Sequence, residues 1–242
     1  DLPYADKAGN NITWNGGGQF DHPLWSAYHN VATTYEERYI AGIHADIAFA
    51  KWLRLDYNAG SNVNSLARRE VTEISSRAAE GLGRIVLDNY RQQEIESNVL
   101  LTFTPTVHPD LSLRAVVGNS INQRTATRQI ATGNRFITSG IYTLGNTAQQ
   151  IFGPIVNGVP VPSLGDNYQR QRLIGVFGDV TLSYKNYAFL EATGRNDWAS
   201  TLPVSNRSYF YPSVSGSFVF TDAFGIHSPV IDFGKIRGGW AK

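Results

Sequence analysis

The residues best equipped for chemistry lie together near position 200. Gly194-Arg195-Asn196-Asp197-Trp198-Ala199-Ser200-Thr201-Leu202-Pro203 is followed by Asn206-Arg207-Ser208-Tyr209-Phe210-Tyr211-Pro212-Ser213. Arg195, Asn196, Asp197, Trp198, Arg207 and Tyr209 offer guanidinium, amide, carboxylate, indole and phenol groups. Such groups hydrogen-bond and stack on polar solutes, so these six are the candidate substrate-binding residues. The same arginine and aspartate can instead pair with one another and fix a loop. Pairing is the favoured role, because binding pockets use few of the polar groups available.

Other reactive side chains form no catalytic pattern. His22, His29, His44, His108 and His227 show no ligand spacing of the H-E-x-x-H kind, so no metal is expected. Gly16-Gly17-Gly18 lacks the strand before it and the Lys-Ser/Thr after it that a phosphate loop requires. Asn11-Ile12-Thr13 and Asn206-Arg207-Ser208 match glycosylation acceptors only formally. Asp179 and Glu191 should face the same side of adjacent strands, in a hydrogen-bond network rather than as an acid/base pair. No nucleophile–base–acid set stands out. The chain is therefore expected to be no enzyme and to use no cofactor.

The elements that position these residues follow from an alternation of period two. Ile43, Ala45, Ile47 and Phe49 alternate with His44 and Asp46, and Leu53, Leu55 and Tyr57 with Arg54, Asp56 and Asn58. The pattern returns through Val99–Phe103, Leu111–Val117, Val176–Tyr184, Ala188–Ala192, Val214–Phe220 and Ile236–Trp240, about eight strands in all. Within them Val180 and Leu182 oppose Asp179, Thr181 and Ser183, while Leu190 opposes Glu191. Arg195 continues the side of Glu191 and Thr193. Arg207 and Tyr209 share the parity of Ser213. No helix of consequence is expected. Residues 66–80 carry helix formers diluted by Val71, Thr72, Ser75 and Ser76, and read as a loop with at most a helical turn.

Connections differ in length. Breaks at Ala50-Lys51, Pro105–Asp110 and Lys185-Asn186 are short, and 221–232 is a longer member of that set. Those at about 62–84 and 125–168 read as long polar loops, with 196–207 intermediate. Aromatic residues gather near the short breaks: Phe49, Trp52, Tyr57, Phe103, Tyr184, Tyr187, Phe218, Phe220 and Phe224. Short turns on one side, long loops on the other and an aromatic girdle characterise outer-membrane barrels. A soluble antiparallel sandwich also alternates, but residues 84–104 and 168–184 read as extended for far longer than soluble strands of ~5–6 residues. The expected fold class is all-β, a segment of an antiparallel transmembrane β-barrel with long extracellular loops.

Composition agrees. Charged residues are 17% of the 242 and the net charge is +1, which gives no electrostatic case for nucleic acid. Cysteine is absent, so disulfides and thiolate metal sites are excluded. No apolar run approaches the ~18–20 residues of a membrane helix. Asp1-Leu2-Pro3-Tyr4 looks like neither an initiator methionine nor a processed end, and the chain is expected to be an internal stretch of a longer protein.

Several segments resemble one family. TGRNDWASTLP…NRSYFYPSVSGSFVFTDAF, Thr193 to Phe224, is similar to a signature of the SusC/RagA family, the TonB-dependent outer-membrane transporters of the Bacteroidetes. Arg172–Trp198 is similar to the strand–turn–strand before that signature. Arg135–Asn146 (RFITSGIYTLGN) resembles the family's IPGFYNL loop. His22–Asn30 and Lys51–Gly60 fit the preceding hairpin region, and Phe233–Lys242 looks like the next strand. The resemblance runs from about residue 22 to the end. It implies that 1–242 is about a third of a 22-stranded barrel, without the signal peptide, N-terminal domain, TonB-contacting segment and plug that members carry. It implies active import of glycans or peptides across the outer membrane. A SusD/RagB-like surface lipoprotein would be the lid, and energy would come from TonB-ExbB-ExbD through segments outside this chain. Substrate would meet loops near 62–84, 125–168 and 196–207. The rival expectation is a non-transporting surface barrel, structural or adhesive, for instance one closed by pairing the Ile43 strand with that of Trp240.

Overall fold

A computed structural model describes residues 3–14, 18–157, 159–161, 165–226, 228 and 230–242. Eight strands follow one another across an antiparallel sheet: β1 (Ala32–Ala50), β2 (Leu53–Ile74), β3 (Leu82–Phe103), β5 (Leu111–Phe136), β9 (Asp166–Tyr184), β10 (Ala188–Ala199), β11 (Ser208–Val219) and β12 (Lys235–Ala241). Two short strands, β4 (Thr106–His108) and β6 (Thr147–Phe152), also pair with β5, making ten. β7 (Ile155–Val156) and β8 (Val159–Pro160) form a separate hairpin. The order begins at β1 and ends at β12, so among the described residues the sheet is not closed, which agrees with the expected segment of a larger barrel and not with the rival eight-stranded closure. A sandwich would need a second sheet stacked about 10 Å away. The second sheet among the described residues is the two-stranded β7–β8.

The alternation places all eight long strands where the sequence expects them, and the register explains why. On β10, Ala188, Leu190 and Ala192 lie opposite Tyr184, Leu182 and Val180 of β9 and opposite Phe218, Gly216 and Val214 of β11. Phe189, Glu191 and Thr193 lie opposite Ser183, Thr181 and Asp179, and opposite Ser217, Ser215 and Ser213. On β12, Ile236 and Trp240 join the apolar set through Phe218 and Val214. Cross-strand neighbours share a face, so the sheet here has one apolar and one polar face.

Four expectations are corrected. The range 62–84 is no long loop: β2 runs on to Ile74 and β3 starts at Leu82, leaving a turn at 75–81. Ladder pairing overrides the helix propensity of Leu66–Glu70, as strand context commonly does. Ser75, Glu80 and Gly81 take positive φ of 81°, 54° and 76°, and the Ser75 amide donates to the Gly81 carbonyl at 2.9 Å, which closes the turn. Much of 125–168 is also strand, since β5 reaches Phe136 and β6 folds back on it, Phe136 against Thr147 and Ala131 against Phe152. The chain is helical at α1 (Pro23–His29) and α2 (Phe220–Phe224), so Phe220 ends no strand. The His22 side chain accepts the Leu24 amide at 3.2 Å and Pro23 stands at the first helical position, a start signal. Finally, Pro105–Asp110 is not a bare turn, because it holds β4.

The chain divides into two compact units. The first comprises Asp1–Tyr39, Val63–Gln93 and Thr125–Gln169. Asp21 organises its N-terminal part. One carboxylate oxygen accepts the Asn11 side chain and the Arg77 amide, both at 2.7 Å. The other accepts the Ser76 hydroxyl at 2.5 Å and, at 3.3 Å, Ser26 and Asn30. Asn30 in turn accepts the Glu73 amide at 3.0 Å. Trp25 is fully buried, stacked on His29 at 4.6 Å, with its indole N–H on the Gly9 carbonyl. A small core of Val71, Ile85 and Phe136 packs with Leu87, Tyr142 and Leu144. Asn146 holds the 138–146 loop through the Thr138 and Ile141 carbonyls at 2.7 and 2.6 Å.

The second unit comprises Ile40–Asn62, Glu94–Arg124 and Arg170–Lys242. Its turns at 51–52, 104–110 and 185–187 carry edge-on aromatic contacts. Trp52 meets Phe103 at 5.2 Å, and Tyr184, Tyr187, Phe218 and Phe224 form a chain with centroids 5.6–5.9 Å apart. These are the aromatics expected near the short connections. Lys185 and Asn186 take φ of 45° and 60°, as a tight hairpin demands.

Two predictions follow from the first unit. Replacing Asp21 by Ala strands donors of the 75–81 turn and α1. It should cost about 2–4 kcal/mol, read as faster amide exchange of Ser76 and Arg77. The Tyr142 hydroxyl donates to Glu73, and that bond, then burial, pushes the phenol up to about 12 from 10.0. A phenol that ionises later when folded stabilises below pH 10.0, and the effect is lost as pH rises to about 12. Protection of the 138–146 loop from protease should fall across that window, whereas Tyr142→Phe should be loosened already at neutral pH.

Candidate functional site

The sequence-marked cluster is strand rather than loop through Ala199, and the pleat divides it. Arg195 and Asp197 lie opposite Tyr211 and Tyr209, on the face of Glu191 and Thr193. Asn196 and Trp198 lie opposite Phe210 and Ser208, on the other face. Asn196 bonds the Ser208 hydroxyl at 2.9 Å, and Trp198 is partly exposed. Arg207 stands exposed in the 200–207 connection, with its carbonyl taking the Ala199 amide at 3.0 Å. The structure thus brings together Arg195, Asp197 and Tyr209, and separates Asn196 and Trp198 from them.

Arg195 is held on several sides. Its Nε lies 2.9 and 3.0 Å from the two Asp197 oxygens and its Nη2 2.8 Å from Oδ1, while Nη2 also donates to Ser120 at 3.2 Å. The guanidinium lies 5.4 Å from the Phe177 ring centre, a cation–π distance. Glycine makes the floor. A Cβ on Gly175 would lie 2.4 Å from Arg195 Nη2 and 2.6 Å from Asp197 Oδ1, and one on Gly118 would lie 2.3 Å from Phe177 Cζ. Ser120, Phe177, Gly118 and Gly175 were not singled out by sequence. Their signal is glycine within otherwise alternating strands, which marks close approach of a neighbouring group.

The same face continues with paired groups. Within the second unit, Asp179 accepts Arg114 at 3.2 Å and Thr181 at 3.3 Å, and Glu191 accepts Ser215 at 3.4 Å. Asp179 and Glu191 therefore bond to different partners, in the network expected of them. Glu94 takes Asn122 and Arg124 at 3.0 and 3.3 Å. His44, Asp46 and Asp56 bring ligand atoms within 4.8 Å of one another. Arg54 already bonds Asp46 and lies 3.7 Å from Asp56, so a cation there would have to displace it. Within the first unit, Asp88 holds Arg128 by two bonds of 3.0 and 2.7 Å, and Glu70 pairs with Arg68. His227, Gly16 and Gly17 lie outside the described residues.

No protein-family model matches the chain, and no curated protein does. Solved structures do. One of the RagAB peptide transporter superposes with a TM-score of 0.77 at 15% identity, covering 97% of this chain and 26% of that one. The RagAB peptide importer in its closed-closed state gives the same values. Its open-open state gives 0.73 at 14% identity, with the same coverage. At such identity the likeness is one of fold. The chain has the fold of a barrel segment of these transporters and spans about a quarter of their length.

The Phe177–Gly118 contact generates a test. Gly118→Val places branched carbons where the Phe177 ring lies. It should cost about 1–3 kcal/mol by overpacking and free Arg195 from its aromatic support, seen as a lower unfolding midpoint. Gly238→Val, whose Cβ has nothing within 4 Å, is the control.

Proposed function

We propose that this chain is part of the wall and lumen lining of a TonB-dependent outer-membrane importer of the SusC/RagA kind. The observation that carries the reading is an apolar face that the described chain leaves uncovered. Leu190, Val214, Ile236 and Trp240 share it through the register, and they are 46–65% exposed. Soluble monomers rarely present such a continuous patch. Hydrocarbon covers it at little polar cost, because β10 is paired with β9 and β11 along its length and β11 with β12. The opposite face, rich in Asp, Glu, Arg, Ser and Thr, suits a water-filled interior.

The finer reading rests on the sequence resemblance, with the fold likeness in its support. The imported substrates are oligosaccharides or peptides too large for passive pores. A SusD/RagB-like lipoprotein covers the barrel from outside, and TonB-ExbB-ExbD supply energy through parts of a longer chain. Arg195, Asp197 and Tyr209 line the lumen beside the substrate path. Asn196 and Trp198 belong to the wall side of the same strand, and Arg207 to the external connection. The cell location is the outer membrane of a Gram-negative bacterium.

Two measurements test this. Val214→Arg, further than Leu190 from the aromatic girdle on the same face, should cost about 2–4 kcal/mol and lower the amount of assembled protein in outer membranes. Ser215→Arg, on the other face beside Glu191, should assemble normally. Equal behaviour of the two would overturn the two-faced membrane reading. Deletion of the whole gene should abolish growth on at least one oligosaccharide or peptide source. Unchanged growth on all of them would remove import as its role.

A further inference from the structure

One cationic side chain in the first unit stands without the partner that its neighbours have. In this unit β2, β3 and β5 enclose a recess of about 300 Å³ lined by Arg68, Glu70, Arg84, Asp88, Arg128 and Pro154, among others. Two of its three arginines are neutralised, Arg68 by Glu70 and Arg128 by the bidentate Asp88. Arg84 is in none of the ion pairs among the described residues. Its Nε is shut off from solvent and finds no hydrogen-bond acceptor there. A guanidinium is always charged and offers five donors in a planar fork, and buried donors of this kind are normally satisfied. The recess therefore has one positive charge in excess and a donor with nothing to receive it.

The surroundings hold that donor in place. Arg84 follows Gly83, whose φ of +79° and close approach to Phe136 fix the start of β3. Beyond β5, Gly153 and Gly165 are tied to that strand. The Gly153 amide bonds the Ile130 carbonyl at 2.8 Å, the Ile130 amide bonds the Gly165 carbonyl at 2.8 Å, and Thr132 donates to the Gly153 carbonyl at 3.3 Å. Pro154 thereby closes one side of the recess. A second hollow shares Arg128, Ile130 and Pro154 with it and adds Tyr90, Asn167 and Gln169, whose phenol and amides suit the neutral polar remainder of a larger molecule.

We infer that Arg84 is the receptor of a carboxylate subsite in this recess, and that the substrates of the transporter include molecules bearing a carboxylate. A carboxylate matches the guanidinium fork with two parallel bonds. The flanking pairs Arg68–Glu70 and Arg128–Asp88 keep the other guanidiniums occupied, which leaves a site for one anionic group rather than a general anion sink. The same chemistry is presented by acidic or C-terminal groups of peptides and by uronic acids of oligosaccharides. This inference rests on the import reading for its substrate and deepens it by naming the group that is recognised.

The test uses the full-length transporter, purified in detergent, and calorimetric binding of two probe pairs. One pair is an oligopeptide with a free C-terminal carboxylate and its C-terminal amide. The other is trigalacturonate and its methyl ester. In at least one pair the carboxylate form should bind about tenfold tighter than its neutral partner, as one charge-assisted bidentate contact provides. Arg84→Gln should abolish that preference and leave the neutral form unchanged. Arg84→Lys, which keeps the charge and loses the fork, should retain part of it. The pair that responds identifies peptide or glycan as the source. Absence of a carboxylate preference in the wild type, its survival in Arg84→Gln, or equal loss for both members of a pair would overturn the subsite. Uptake in cells is read separately: a carboxylate probe that binds through Arg84 but is not imported leaves the subsite standing and overturns the import reading.

Discussion

The constraint on which the rest depends is the register of β10 against both of its neighbours. Side chains alternate across a strand, so a slip of one residue exchanges the two faces completely. With Leu190 opposite Leu182 and Gly216, and Glu191 opposite Thr181 and Ser215, a slip would carry Glu191 and Asp179 among aliphatic neighbours. It would equally put Leu190 and Val180 among Arg, Ser and Thr. Burying an unpaired carboxylate in hydrocarbon costs several kcal/mol, far more than a single ladder hydrogen bond returns. The polar groups thus fix the register, and the register supplies the apolar face.

What then keeps so many charges compatible with a single sheet is that they are paired along it. Arg114 meets Asp179, Arg124 meets Glu94, Arg128 meets Asp88 and Arg195 meets Asp197. Such exposed pairs add little stability individually. Their consequence here is positional, since each guanidinium is anchored at a defined height on its strand. Glycine permits the closest of these arrangements. Gly118 leaves room for the tip of the Phe177 ring, and Gly175 lets Arg195 and Asp197 lie close to the backbone. The weaker β propensity of glycine is offset there by an aromatic ring and an ion pair that no larger residue would admit.

The eight strands and their faces were legible because period two is a local property and needs no knowledge of partners. Strand ends were not. Beyond Gly60 on β2 and beyond Arg124 on β5 both faces carry polar residues, so alternation fades although the ladder continues to Ile74 and Phe136. The pairing that extends these strands is visible only once neighbours are known. The structure is nearly all strand, as expected, and its seven-residue helix at Pro23–His29 rests on Trp25 burial and on the Asp21 network rather than on an apolar stripe. Arg195 and Asp197 were recognised from their types, and their pairing followed. Ser120 and Phe177, which complete that arrangement, lie on other strands and are brought there by register alone. The separation of Asn196 and Trp198 from Arg195 follows from strand parity once β10 is known to extend to Ala199.

A dense polar cluster and a binding site are different things, and the difference is whether donors are spare. A ligand carboxylate approaching Arg195 must first displace Asp197, which already spans Nε and Nη2, and would compete with Ser120 as well. The exchange gains little, because one charge-assisted pair is traded for another and Asp197 is left unpaired. Arg84 has no such side-chain partner to displace, since its Nε–H finds no acceptor among the described residues. By this criterion the most conspicuous sequence cluster orders its own strand, and the proposed carboxylate subsite rests on a single arginine that no motif marks.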